Sequence, residues 1–148
     1  MRYMKNKQSA SMNSLTLKQP KFSKMLGLKV THVKCGQVKA ELDVKEIFVN
    51  RNGVMHGGAI MAFADDIGGT ATFATLEPGE STTTIESKTN FLRPIRIGDR
   101  IRAVCEVLNR GKTIVLVQTK IYRSDNKVAA LVMQTQMILT FSQKKPVK

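Results

Sequence analysis

The first forty residues contain no aspartate or glutamate. Nowhere does an apolar run approach the roughly 20 residues that a membrane-spanning helix requires. The N-terminus has no apolar core of the secretory kind, so the expected setting is cytoplasmic. Cysteine is scarce. Cys35 and Cys105 stand 70 positions apart, with no second cysteine or paired histidine near either, which removes the spacing of a zinc site. Both are expected to be buried free thiols.

What is present suits one globular domain. The 148 residues, 42% hydrophobic and 24% charged, suffice to bury a core without disulfides or a structural metal. The net charge of +13 is unevenly spread: residues 1–40 carry nine Lys or Arg, whereas residues 41–148 carry fifteen against eleven acids, a net of +4. Residues 1–19 are therefore expected to be a basic, flexible arm, and residues 20–148 the single domain.

Periodicity assigns the elements. Phe22, Met25 and Leu26 predict a short helix face before a stop at Gly27. Val30 and Val33, then Val38, Ala40, Leu42 and Val44, predict a hairpin turning at Cys35-Gly36. After the polar break Asn50-Arg51-Asn52-Gly53, the stripe Ile60, Phe63, Ala64, Ile67 and Ala71 predicts the one long helix, from about Gly57 to Ala74. Four β-rich runs follow: Thr82 to Phe91, Arg100 to Leu108, Thr113 to Tyr122 and Val128 to Phe141. Their short, turn-rich connections predict antiparallel succession. The fold class is α+β: about six strands in a curved antiparallel sheet around one central helix. Ala62, Gly68, Gly69 and Ala71 on that helix invite close approach by another backbone, and each Gly there costs about 1 kcal/mol relative to Ala, so a packed sheet or a second subunit must compensate.

An ordered set of short motifs carries a resemblance. Asn50, Gly53, His56-Gly57-Gly58 and Asp65, nine positions after the histidine, are followed by Thr84-Ile85-Glu86, Asn90-Phe91-Leu92-Arg93-Pro94, Gly98-Asp99 and Asn109-Arg110-Gly111-Lys112. From about Leu26 to Phe141 the chain resembles the hotdog-fold acyl-CoA thioesterases, in particular the PaaI-like branch of phenylacetic acid degradation and 4-hydroxybenzoyl-CoA thioesterase. The hydratase branch of that fold carries its Asp and His in a different motif near an Asn-Pro step, which this chain lacks.

The resemblance implies hydrolysis of an aromatic or medium-chain acyl-CoA to free acid and CoA, with coenzyme A as part of the substrate and no metal or other cofactor. Thioester hydrolysis needs a polarised carbonyl, an attacking oxygen and a proton acceptor or direct nucleophile. Unpaired N–H groups at a helix start can stabilise the oxyanion, a role the resemblance gives chiefly to Gly57 with Gly58 beside it. Asp65 is the general base or the nucleophile. Asn50 orients water or the thioester, and Thr84 holds water near the Asp. His56 either bonds the thioester oxygen or caps the turn into the helix. Asp66 is left to a salt bridge or solvent, and His32 to a structural or solvent-facing place. Arg93, Arg110 and Lys112, with Gly111, are the candidates for the CoA phosphates and adenine.

Gly57 and Asp65 lie eight residues apart, about 12 Å along one helix. One carbonyl does not meet both within hydrogen-bond reach, whereas two antiparallel helices related by a two-fold axis bring Gly57 of one chain to Asp65 of the other. The expected assembly is a homodimer with shared sites, built further into a homotetramer. The alternative is a non-catalytic acyl-CoA-sensing regulator that binds nucleic acid through the basic arm. It is disfavoured because the residues before Leu26 are too few and too weakly periodic for a helix-turn-helix.

Overall fold

The computed structural model describes residues 19–140. All of the expected basic arm except Gln19 lies outside the described residues, as does Phe141, expected as the last residue of the final strand. A short helix α1 (Lys21–Leu26) leads into β1 (Lys29–Lys34) and β2 (Gln37–Asp43), then a single 3₁₀ turn (Glu46–Phe48) and the long helix α2 (Gly57–Phe73). Four longer strands complete the order: β3 (Glu80–Phe91), β4 (Arg100–Arg110), β5 (Ile114–Tyr122) and β6 (Val128–Thr140).

The strands form one six-stranded antiparallel sheet in the order β1-β2-β4-β5-β6-β3. Helix α2 crosses its inner face and touches all six strands. The stripe Ile60, Phe63, Ala64, Ile67 and Ala71 is buried, as its period demanded. It meets Val38, Ala40, Ile101, Ala103, Val117 and Val132 of the sheet in one core. The hairpin turns at Cys35-Gly36 with Gly36 at φ 78°, where a residue without a Cβ is unstrained.

Three local expectations are corrected. First, consecutive strands do not all neighbour one another. β4, β5 and β6 succeed as hairpin partners, but β3 pairs with β6 at the sheet edge. The chain after β3 must cross back to the interior, and buried Ile95, whose carbonyl accepts from Met55 N–H at 2.8 Å, pins that crossing beneath the start of α2. Second, α1 buries only Leu26 of its apolar stripe. Ser23 and Leu26 face inward, while Phe22 and Met25 are exposed. Third, Cys35 is exposed in its turn; only Cys105 is buried, and burial pushes its thiol up to about 11.

The two helix glycines differ in cause. A Cβ on Gly68 would overlap the Gln134 side chain of β6 and sit 3.3 Å from Val117 Cγ2, so the sheet itself fills that space. A Cβ on Gly69 would meet nothing within 4 Å. Gly69 belongs to the outward stripe Met61, Asp65, Gly69 and Phe73, spaced by four residues, on which Met61 and Phe73 are exposed.

Neighbouring residues of α1 supply a test of its orientation. In chemical denaturation, Leu26→Ala is expected to lose about 2–5 kcal/mol as a core truncation, and Met25→Ala less than about 0.5 kcal/mol as a surface one. The opposite ranking would mean that α1 is rotated.

Candidate active site

Helix α2 starts at a histidine. His56 is the N-cap, in extended conformation, and its Nδ1 accepts from the Gly58 N–H at 2.9 Å. That bond assigns the proton of a neutral imidazole to Nε2. The His56 carbonyl accepts from Ala59 and Ile60. Of the N–H groups that a helix start leaves unpaired, the Gly57 donor thus remains without a protein acceptor among the described residues, while the Gly58 donor is already engaged by the cap.

The ring of Phe91, at the end of β3, lies against Gly57: a Cβ there would come within 3.1 Å of Phe91 Cζ. Gly57 therefore opens into a cleft of about 370 Å³ walled by Ile60, Phe91, Leu92, Pro94 and Asn50. Asn50 also borders a second cleft, of about 530 Å³, lined with Val49, Arg51, Asn52 and His56. Its side-chain Oδ1 accepts from the N–H groups of Asn52 at 2.9 Å and Val54 at 3.4 Å, which ties down the Asn50–Val54 loop.

Asp65 sits two turns further along α2 on the outward stripe, in a separate cleft of about 470 Å³ shared with Asp66, Gly69, Thr82 and Thr84. Its Oδ1 accepts from Thr84 Oγ1 at 2.8 Å and from Gln134 Nε2 at 2.7 Å. Gln136 Nε2 in turn donates to Thr84 Oγ1 at 2.8 Å. The register of β3 against β6 shifts between Thr84 and Glu86. This bulge leaves Ile85 exposed and keeps Thr84 directed at the helix.

Asp66 has a different environment. It accepts from buried Ser23 Oγ at 2.6 Å, which ties α1 to α2. Burial pushes its carboxyl above the ordinary range, against the opposing pull of the Ser23 bond, and the neighbouring Asp65 charge adds to the rise. No ion pair reaches it among the described residues, so the expected salt bridge or solvent exposure is replaced by a half-buried hydrogen bond. His32 is solvent-facing.

The basic candidates do not converge on one protomer. Arg93 borders the Gly57 cleft and donates to the Val128 carbonyl at 2.6 Å. Arg110 lies at the opposite end of the sheet, bonded to the Gly111 carbonyl and paired with Glu80 at 2.9 Å. Gly111 closes the β4–β5 turn through its N–H to Ile114 O at 2.8 Å, and Lys112 beside it is exposed. Along β6 these ends are marked by Ala130, opposite Phe91, and Met137, opposite Ile114, roughly 23 Å apart at strand rise. Arg93 thus accompanies Gly57, and Arg110 to Lys112 share the end where Asp65 and Thr84 lie.

Gln134 and Gln136 went unnoticed in the sequence, although a signal was present. They alternate with Val132 and Ile138 along β6, so an inward apolar face places two amides in the core. Among the described residues, no three His, Cys, Asp or Glu side chains cluster as a metal-binding set, and no helix is long and apolar enough to cross a membrane.

One long helix wrapped by a single six-stranded antiparallel sheet is the hotdog fold of the thioesterases. The family model for the thioesterase superfamily matches residues 52–130. A Saccharolobus solfataricus protein with a provisional esterase name is 34% identical over 116 residues, covering 78% of this chain and 81% of that protein. Human acyl-coenzyme A thioesterase 13 is 32% identical over 95 residues, covering 63% of this chain and 66% of the human one. The structure of the E. coli PaaI protein from the phenylacetic acid degradation operon superimposes with a TM-score of 0.83 at 20% identity, covering 91% of this chain and 96% of that one, a likeness of fold. The chain belongs to the thioesterase superfamily, and its class of reaction is thioester hydrolysis.

The raised Asp66 carboxyl generates a pH prediction. A carboxyl whose folded pKa exceeds its unfolded value favours folding when protonated; that contribution is present below the ordinary aspartate pKa of about 3.9 and is lost as pH rises through the folded value. Asp66→Asn, which keeps an acceptor for Ser23, is expected to match wild type in thermal stability near pH 3 and to gain on it toward pH 7. A constant difference across that range would remove burial as the cause.

Proposed function

We infer that this thioesterase hydrolyses an aromatic or medium-chain acyl-CoA at a site shared between two chains. The observation that carries the reading is the separation of its two chemical halves. Gly57 and Asp65 occupy one continuous helix, eight residues apart, and open into different clefts. At about 1.5 Å per residue, no single carbonyl spans that gap.

In the proposed dimer, Gly57 of one chain supplies its free N–H to the thioester oxygen, where the helix start also favours negative charge. Asn50 and His56, whose outward Nε2–H remains available, flank that oxygen. Asp65 of the other chain accepts the proton of the attacking water or attacks the carbonyl carbon itself, with Thr84 beside it. The apolar wall of Phe91, Leu92 and Ile60 suits the acyl group. Arg93, arriving with Gly57, and Arg110, Gly111 and Lys112, arriving with Asp65, suit the phosphates of CoA from two chains. The Gly58 N–H serves indirectly, by holding His56.

Two features support pairing. The outward stripe places small Gly69 between exposed Met61 and Phe73, a face that a second helix can approach closely. β3 is a 12-residue edge strand with one neighbour in the sheet among the described residues, whose other edge therefore offers backbone groups for pairing. Similarity to human acyl-coenzyme A thioesterase 13 supports CoA as the thiol carrier. The nucleic-acid-binding alternative rests on an arm outside the described residues, and no observation favours it.

Thiol release from an acyl-CoA panel tests the reading. Asp65→Asn is expected to lose about 10²-fold or more in kcat/KM, with Asp66→Asn much milder. Gly57→Pro deletes the N–H at the first helical position, where proline is otherwise tolerated, and is expected to be similarly inactive. Unfolding and refolding the two variants together is then expected to recover roughly a quarter of wild-type activity, since half the dimers are mixed and each holds one intact site. No recovery from a mixture shown to contain mixed dimers would rule out the shared site.

A further inference from the structure

Asp65 is held by side chains from the sheet that have no part in the reaction as described above. Gln134 and Gln136 are each 1% exposed, in positions where hydrocarbon would normally fill a core. Gln134 Nε2 donates to Asp65 Oδ1 at 2.7 Å. Thr82 Oγ1 donates to Gln136 Oε1 at 3.3 Å, Gln136 Nε2 to Thr84 Oγ1 at 2.8 Å, and Thr84 Oγ1 to the same Asp65 Oδ1 at 2.8 Å. Thr84 Oγ1 and Gln134 Nε2 both direct protons at Oδ1 and Gln136 Nε2 directs one at Thr84, while the single Thr82 proton is shared between Gln136 Oε1 and the Met137 carbonyl at 3.2 Å. Among the described residues no donor reaches Oδ2.

The arrangement is unfavourable for the core. Gln134 Oε1 is buried with no hydrogen-bond partner, an uncompensated desolvation. The amide also requires a glycine in the middle of α2, because a Cβ at residue 68 would overlap Oε1 and lie 3.0 Å from Cδ. An apolar residue at 134 with alanine at 68 would avoid both penalties.

We propose that Gln134 is a positioning residue for hydrolysis, assisted by Gln136 through Thr84: their donors fix Oδ1 and the plane of the carboxylate, leaving Oδ2 as the reacting oxygen. The proposal rests on Asp65 being the reacting carboxylate. With Oδ2 as base, it takes a proton from water while the water oxygen bonds to the acyl carbon; the C–S electron pair leaves with sulfur, and the proton passes to that thiolate. With Oδ2 as nucleophile, it bonds to the acyl carbon as the C–S pair leaves with sulfur; water then cleaves the anhydride, its oxygen bonding to the acyl carbon and one of its protons passing to the thiolate, which restores the carboxylate. Oδ1 keeps its two donors in either course.

The test uses the full chain with ¹³C-carboxyl-labelled aspartate, the Asp65 signal being assigned by its loss in Asp65→Asn. Asp66, the other titratable group bordering this cleft, provides the comparison within each sample. In Gln134→Met the Asp65 carboxyl is expected to titrate at higher pH than in the wild type, because a donor to its charged form is gone. In Gln134→Glu, close in size to the native residue, it is expected to move further, because a second carboxylate adjoins it. Gly68→Ala, which displaces the amide without altering it, is expected to resemble Gln134→Met. With phenylacetyl-CoA and hexanoyl-CoA as probes, kcat is expected to fall about tenfold and KM to change less than about threefold. If Gln134→Met does not fold, Gln134→Glu carries the test. An Asp65 titration that stays in place in the folded variants overturns the proposal, whatever their rates. Full hydrolysis by Asp65→Asn overturns the reading of Asp65 instead, a distinct outcome.

Discussion

Everything in this molecule depends on a single rigid helix being gripped along one side. α2 packs its Ile60-to-Ala71 stripe against a sheet from which all six strands reach it. A close-packed interior resists adjustment by even one methylene, so the helix can neither slide nor roll. Two consequences follow from that rigidity. The spacing between the open N–H of Gly57 and the carboxylate of Asp65 is set by helical rise, and the opposite face is left outward with Met61, Asp65, Gly69 and Phe73 upon it.

The sheet contributes more than a wall. Most of its inner face is hydrocarbon, but β3 and the facing end of β6 carry threonine, serine and glutamine toward the helix. β3 has no buried residue and, among the described residues, a neighbour on only one side, so its stability comes from the ladder to β6 rather than from core packing. The same polar strip puts a hydroxyl and an amide on Asp65 while leaving Gln134 Oε1 unpaired. Of the buried side-chain atoms without a partner among the described residues, Gln134 Oε1 thus stands beside the carboxylate, a place where a local rule is expected to be broken for function.

Much of the fold was legible because its signals are periodic. The 3.6-residue stripe of α2, the alternation of β2 and the glycine turn at Cys35-Gly36 each reflect a local rule, and each element appears where that rule places it. The partner of β3 was not legible, since its pairing with β6 joins Phe91 to Ala130 across two intervening strands, a contact that no local pattern records. The face of α1 was misread because six residues make under two turns. There, Leu26 and Ser23 face inward together, Ser23 bonding Asp66, and Phe22 and Met25 are left outside. Gln134 and Gln136 were hidden for another reason: an alternating strand pattern shows which residues share a face, but not that a buried amide has found a carboxylate.

The sequence by itself determined the wrapped helix, the open start at His56-Gly57-Gly58 and the distance from Gly57 to Asp65, because hydrophobic period, capping chemistry and helical rise are all local quantities. Tertiary structure decided the rest. The nine-residue offset from His56 already separated Asp65 from Asp66; the fold gave the two their different surroundings, bringing Thr84 and Gln134 to one and Ser23 to the other. It also sent Arg93 and Arg110 to opposite ends of the sheet. Those outcomes depend on which strands become neighbours, and no spacing along the chain encodes that, because the contacts form between residues tens of positions apart and only when the core closes.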